Sequence, residues 1–220
     1  MTVKKITYID PKPSLRTRVA IPQLKTDWTL DEIAFFGSAD VPPESQVYKD
    51  AFDAAQLLAE HGKTIVDGGG PGVMEASTNG AIAGGGKTIA VTFYPDDMPE
   101  FEGRATDNIV DVEIKTSNYV ERMMGLLSEA DAFVCFQGGT GTLSEWATAW
   151  LLAHLYYGHH KPIFLYGAFW RDFMENVNHH FLIDENEKHV YQIVESKEEL
   201  LAAIQATENL FRVQLNQAST

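Results

Sequence analysis

The sequence predicts an α/β fold, a doubly wound and mostly parallel sheet of about six to seven strands with helices on both faces, formed as one domain over residues 1–220. Three observations predict it. Short apolar segments alternate with longer ones whose apolar residues recur at helical spacing, and glycine or proline punctuates the junctions. Three of the apolar segments empty directly into glycine-bearing turns, at Gly37-Ser38, at Gly68-Gly69-Gly70-Pro71-Gly72 and at Gly138-Gly139-Thr140-Gly141-Thr142. A chain of 220 residues, 45% of them hydrophobic, is long enough for one sizeable core and short for two.

Pro11, Pro13 and Pro22 break any regular element near the start, so residues 1–30 read as an N-terminal arm. The first strand is Ile33 to Phe36. A helix between Tyr48 and His61 carries Phe52, Ala55, Leu58 and Ala59 on one stripe. The next strand, Thr64 to Val66, opens into the second glycine loop, where Pro71 suits the first turn of the following helix. Gly84-Gly85-Gly86 reads as a helix stop before the strand Thr88 to Phe93. A strand at Ile109 to Ile114 precedes a helix that begins near Val120, with Met123, Met124 and Leu127 facing the sheet. Ala132 to Phe136, Ile163 to Tyr166 and Tyr191 to Val194 complete the strands. The segment from Lys197 begins as a helix and frays into a C-terminal tail over 206–220.

With 31 acids against 17 bases the net charge is −14, which repels nucleic acid polymers and anionic membranes, and no run of Lys or Arg offsets it. A phosphate would have to be captured by backbone amides and a few chosen cations, so a small nucleotide is the expected partner. Cys135, the one cysteine, sits in an apolar strand and reads as a small hydrophobe. No apolar stretch approaches a membrane span and the first 31 residues hold no uninterrupted apolar run, so a cytoplasmic location is expected.

The loop Gln137-Gly-Gly-Thr-Gly-Thr-Leu-Ser-Glu145 carries the chemistry. Glycines let backbone N–H groups approach a ligand, and a helix N-terminus carries partial positive charge, so this junction can hold a phosphate. In an open parallel sheet all three glycine loops would meet beyond the carboxyl ends of the strands. Glu145 has a purely structural alternative, because Thr142 followed three residues later by an acid is a capping-box pattern. Arg122 has one too, as a solvated helix residue. Its neighbours Val120, Met123 and Met124 argue instead for a partly buried cation that wants an anion.

Those residues resemble the LOG family of cytokinin-activating phosphoribohydrolases, also described as possible lysine decarboxylases. The resemblance runs from Asp67-Gly68-Gly69-Gly70 through Gly72-Val73-Met74 and Glu121-Arg122 to the 138–145 loop, and covers roughly Ile33 to Leu200. It implies a Rossmann-like homodimer that hydrolyses the N-glycosidic bond of a nucleoside 5′-monophosphate such as AMP, releasing base and ribose 5-phosphate. Arg122 and Glu145 match the family's catalytic pair. The expected substrate-binding positions are Gly37, Ser38, Gly69, Gly70, Gly138, Gly139, Thr140, Gly141 and Thr142. Three departures bear on substrate choice: Gln137 replaces the motif's proline, Met123 stands where a lysine usually follows the arginine, and the first loop reads Gly-Ser-Ala-Asp.

The chemistry suits that pair. Breaking the C1′–N9 bond develops positive charge on the ribose, which a carboxylate can stabilise while it orients or deprotonates water. Arg122 would hold ribose or phosphate and favour the ionised acid. The reaction needs no metal and no organic cofactor. A non-catalytic alternative is a binding protein resembling the molybdenum cofactor carriers, which would hold a phosphorylated pterin in the same glycine loops. A lysine decarboxylase would need a Schiff-base lysine in a pyridoxal phosphate site, and no lysine has that context. His154, His159, His160, His179 and His180 show no zinc-enzyme spacing and read as ordinary helix and loop residues. Trp146, Trp150, Tyr156 and Tyr157 are expected at a dimer interface.

Overall fold

The computed structural model describes residues 29–95, 98, 101, 103–105, 107–155 and 161–218, with backbone alone for 214–218. In chain order the elements are β1 (Glu32–Phe36), α1 (Gln46–Glu60), β2 (Thr64–Asp67), α2 (Val73–Ala83), β3 (Thr88–Phe93), β4 (Val112–Thr116), α3 (Tyr119–Glu129), β5 (Ala132–Cys135), α4 (Thr140–Leu155), β6 (Ile163–Tyr166), α5 (Phe169–His180), α6 (Glu185–Lys188), β7 (Tyr191–Val194) and α7 (Lys197–Ala218). The seven strands form one sheet in the order β4-β3-β2-β1-β5-β6-β7. Every neighbouring pair is parallel. This is a Rossmann-like α/β fold, and its order reverses between β1 and β5, the switch point at which such sheets open a crevice.

The central strands are apolar on both faces because both are covered. Along β1, Ile33 and Phe35 enter one core with α1, α2 and α7, while Ala34 and Phe36 enter the other with α3, α4 and α5. β5 alternates likewise, with Val134 on the first face and Phe133 and Cys135 on the second. Phe35 stacks on Phe136 at 5.4 Å and Phe36 on Phe133 at 5.6 Å, so the strand ends that carry the first and third glycine loops are braced from both sides. Truncating one such ring would cost about 3–5 kcal/mol.

Helix starts follow their caps. The Ser45 side chain accepts the Tyr48 N–H and opens α1, whose buried Ala51, Ala54, Ala55 and Ala59 leave room for a close approach of α2. Asn118 accepts the Glu121 N–H at 2.8 Å and opens α3. α2 stops at Ala83, and Gly85 turns away with φ +73°. Pro71 stands outside α2, ahead of its cap Gly72, and not in its first turn.

Two further expectations are corrected. The strand expected at Ile109 to Ile114 begins at Val112 instead, because Asp111 pairs with Thr88 through side chains: its carboxylate accepts the Thr88 N–H at 2.8 Å and its own N–H donates to the Thr88 hydroxyl at 3.0 Å. The expected tail is helix, since α7 runs to Ala218 and buries Leu200, Ile204, Thr207, Glu208 and Phe211 on one stripe. Glu208 ties this end down by accepting from the Leu30 N–H at 3.1 Å and from Lys63 Nζ at 2.7 Å. Of the arm expected over residues 1–30, all but Thr29 and Leu30 lies outside the described residues.

Candidate active site

All three glycine loops meet beyond the ends of β1, β2 and β5, and Ser38 stitches them together. Its N–H donates to the Gln137 carbonyl at 3.1 Å, and its own carbonyl accepts the Val73 N–H at 2.9 Å. Between the loops lies a crevice of about 590 Å³, within the range of small-molecule sites. Gly37, Ser38, Gly139, Thr140, Gly141, Thr142, Arg122 and Glu145 all line it. The expected Gly69, Gly70 and Gly138 do not.

The second loop contributes Gly68 instead. Gly69 and Gly70 are occupied from behind, their carbonyls accepting from Arg104 and from the Asn108 amide, each at 3.2 Å. Asp67 fixes the loop's base. Its buried carboxyl receives the Gly69 N–H at 2.7 Å and the hydroxyls of Ser77 and Thr78 at 3.0 and 2.6 Å, while burial holds its pKa above the ordinary value in spite of those donors. At Gly138 a Cβ would collide with the Thr142 side chain, so glycine is required there for packing.

α4 starts earlier than a Thr142 cap would need. The Leu143 N–H donates to the Gly139 carbonyl at 3.0 Å, which makes Gly139 the cap and places Thr142 inside the first turn. The capping-box alternative for Glu145 therefore fails. It also leaves the amides of Gly139, Thr140, Gly141 and Thr142 without acceptors in the helix, all four residues lining the crevice at its positive end. Glu145 lies one turn on, in the buried stripe with Thr142, Trp146 and Ala149. Its side of the crevice adjoins β5: burial first, then the charge of Glu145, raise the Cys135 thiol well above its ordinary pKa.

Arg122 occupies the same buried stripe of α3 as Leu126 and is 3% exposed. Its Nε donates to the Val91 carbonyl at 3.2 Å and Nη2 to the Gly68 carbonyl at 3.1 Å, with the Met74 sulfur at 3.4 Å from Nη2. Two rings flank the guanidinium, Phe101 at 5.6 Å and Tyr119 at 5.8 Å. The two carbonyls are neutral and orient the cation, whose charge also reaches the buried Asp67 carboxyl and works against the rise in its pKa.

Asp40 and Met74, named above only as parts of motifs, line the crevice as well, and so do Met98, Phe101 and Tyr119, which the sequence did not single out. Met98 and Phe101 fall between β3 and β4, where no periodicity flags them. Met123 sits with its sulfur 3.8 Å from the Thr148 hydroxyl, packed toward α4. Trp146 and Trp150 face inward, contrary to an interface role: Trp146 stacks on Trp150 at 5.1 Å and meets Trp170 at 5.4 Å. Tyr156, Tyr157, His159 and His160 lie outside the described residues. Among the described residues no cluster of His, Cys, Asp and Glu could hold a metal ion, and no helix is long and apolar enough to cross a membrane.

Fold and loops together define a Rossmann-like α/β protein with a glycine-lined crevice at the switch point. The chain belongs to the SLOG cluster4 family, a LOG-like family whose model matches residues 31–201. It is 33% identical over 138 residues to the cytokinin riboside 5′-monophosphate phosphoribohydrolase of Mycobacterium tuberculosis, covering 62% of this chain and 69% of that one. An uncharacterised protein of Archaeoglobus fulgidus is 32% identical over 120 residues, 54% of this chain and 74% of its own. Among solved structures, the molybdenum cofactor binding protein of Rippkaea orientalis superposes with a TM-score of 0.60 at 24% identity, covering 80% of this chain and 94% of that one. The molybdenum cofactor carrier protein of Chlamydomonas reinhardtii gives 0.57 at 22%, covering 80% and 96%.

Proposed function

We propose that the protein hydrolyses the N-glycosidic bond of a nucleoside 5′-monophosphate, AMP or an N6-modified AMP, to free base and ribose 5-phosphate. The observation that carries this reading is the convergence of Arg122, Glu145 and the four capless amides of Gly139 to Thr142 on one crevice. The amides take the 5′-phosphate. That anchor sets C1′ against Glu145 one turn along, so binding energy is used for orientation. As the C1′–N9 bond breaks, its electron pair leaves with the base. The Glu145 carboxylate stabilises the positive charge left on the ribose and takes a proton from the water that forms the new C1′–O bond; a proton returns to the base. Arg122 supplies positive charge to phosphate or ribose from a fixed position. The relative from Mycobacterium tuberculosis, whose name states this reaction, supports the reading.

The protein acts in the cytoplasm as a homodimer on this reading, and α4 offers the surface. Leu143, Leu151 and Leu155 are 40%, 54% and 62% exposed at helical spacing, the inward turn of the tryptophans leaving these leucines outside.

A second reading has its own support. The likeness to molybdenum cofactor proteins extends over nearly their whole length, and a carrier would use the same amides to hold a phosphorylated pterin without turnover. Incubation with AMP, N6-modified AMP and other nucleoside monophosphates, with Glu145→Gln as control, separates the two. Base release that vanishes in the control supports the hydrolase; tight binding with no release supports the carrier.

A further inference from the structure

We infer that Tyr119 is a further ligand-binding residue of this crevice, its hydroxyl donating to the phosphate that the α4 amides face while its ring keeps Arg122 beside them; this rests on the nucleoside monophosphate reading. Tyr119 is the first residue of α3, set by the Asn118 cap, and it lines the crevice half-buried. Its hydroxyl oxygen lies 3.0 Å from where a Cβ on Gly141 would stand. A phenol O–H is thus brought against the second residue of α4, beside the amides of its first turn. Glycine at 141 lets the hydroxyl come this close to the helix, where any side chain would press on it.

The same side chain reaches a second, independent feature of the crevice. Its ring lies 5.8 Å from the Arg122 guanidinium carbon and meets Phe101 edge-on at 6.1 Å, and Phe101 in turn lies 5.6 Å from Arg122. Arg122 brings a buried positive charge with no dependence on the helix end. Tyr119 is the link between that charge and the amides, with a donor at one end and a cation-holding face at the other. A phosphate dianion fits such a set, because it offers acceptors to several donors at once and a hydrogen bond to a charged acceptor is worth more than one to a neutral group.

Tyr119→Phe removes the hydroxyl and keeps the ring, so Arg122 keeps its neighbour. Titrating wild type and variant with inorganic phosphate and with AMP should show both ligands weakened about tenfold or more by the substitution, with an unchanged melting temperature. Tyr119→Leu, which also removes the ring, should lower kcat for AMP as well as affinity. Unchanged affinities in Tyr119→Phe would overturn the inference while leaving the proposed function standing. Loss confined to AMP would place the hydroxyl on sugar or base and overturn the phosphate assignment. A wild-type protein that binds neither probe would overturn the proposed function and this inference with it.

Discussion

Gly68 is the seat of Arg122: its carbonyl accepts from Nη2 at 3.1 Å, and a Cβ at that position would overlap the same nitrogen. The contact joins the second glycine loop to α3 across 54 residues of sequence. Gly68→Ala should therefore displace the guanidinium without straining the backbone, since Gly68 is not among the positive-φ glycines. A misplacement of about 1 Å can cost on the order of 10²-fold, so kcat/KM for AMP should fall by about that factor. Steady-state kinetics alongside a melting curve checks it, and a fully active variant would remove the seating role.

Arg122→Ala should lower kcat/KM by about 10²–10³-fold, the usual loss when a positioned electrostatic donor is removed. It also strands the Val91 and Gly68 carbonyls that Nε and Nη2 now satisfy. Stability should drop by about 1–3 kcal/mol, measured by denaturant unfolding. An activity loss with no stability loss would mean that water replaces the guanidinium at those carbonyls.

For Glu145→Gln the expectation is a turnover loss of about 10²–10⁴-fold with AMP binding retained, because the variant keeps the shape and loses the base. A structural cap would tolerate glutamine, but Gly139 holds the cap position. Single-turnover base release with parallel binding measurements distinguishes the two, and wild-type turnover in the variant would exclude Glu145 from the chemistry.

Asp67 should leave a mark on the pH dependence of stability. Burial raises its folded-state pKa above the ordinary 3.8, so the folded protein keeps that proton to higher pH than the unfolded chain. Its contribution is fully present below the ordinary value and is lost as pH rises through the raised one. Asp67→Asn cannot titrate. The melting temperature of the Asn variant relative to wild type should climb as pH goes from below 3.8 toward neutral. A difference that stays flat over that range would show that burial does not govern this carboxyl.

Leu151 is 54% exposed on the outer stripe of α4. Leu151→Arg places an unpaired charge at the proposed dimer surface, and light scattering should then report monomer where the wild type reports dimer. A variant that stays dimeric would move the interface elsewhere.

The parallel sheet, its alternating helices, the three glycine loops and the pair Arg122 and Glu145 were legible in the sequence. Each is written in short-range signals: two-residue alternation in β1 and β5, helical stripes in α1 and α3, and turn chemistry at strand ends. Errors fell where a side chain replaces the expected backbone pattern. Asp111 delays β4 by pairing with Thr88, and Glu208 anchors a polar helix that composition alone reads as a tail.

Sequence by itself determined which residue types could hold an anion and stabilise a cationic ribose, because glycine turns and charged residues on apolar stripes announce themselves locally. Tertiary structure decided their arrangement: that Gly68 and not Gly69 or Gly70 faces the crevice, that Gly139 caps α4, and that Phe101 and Tyr119 close around Arg122. The reason is range. Local spacing fixes the face of one helix or strand, whereas a crevice at a switch point depends on strand order, which places β1 next to β5 across about 100 residues of chain.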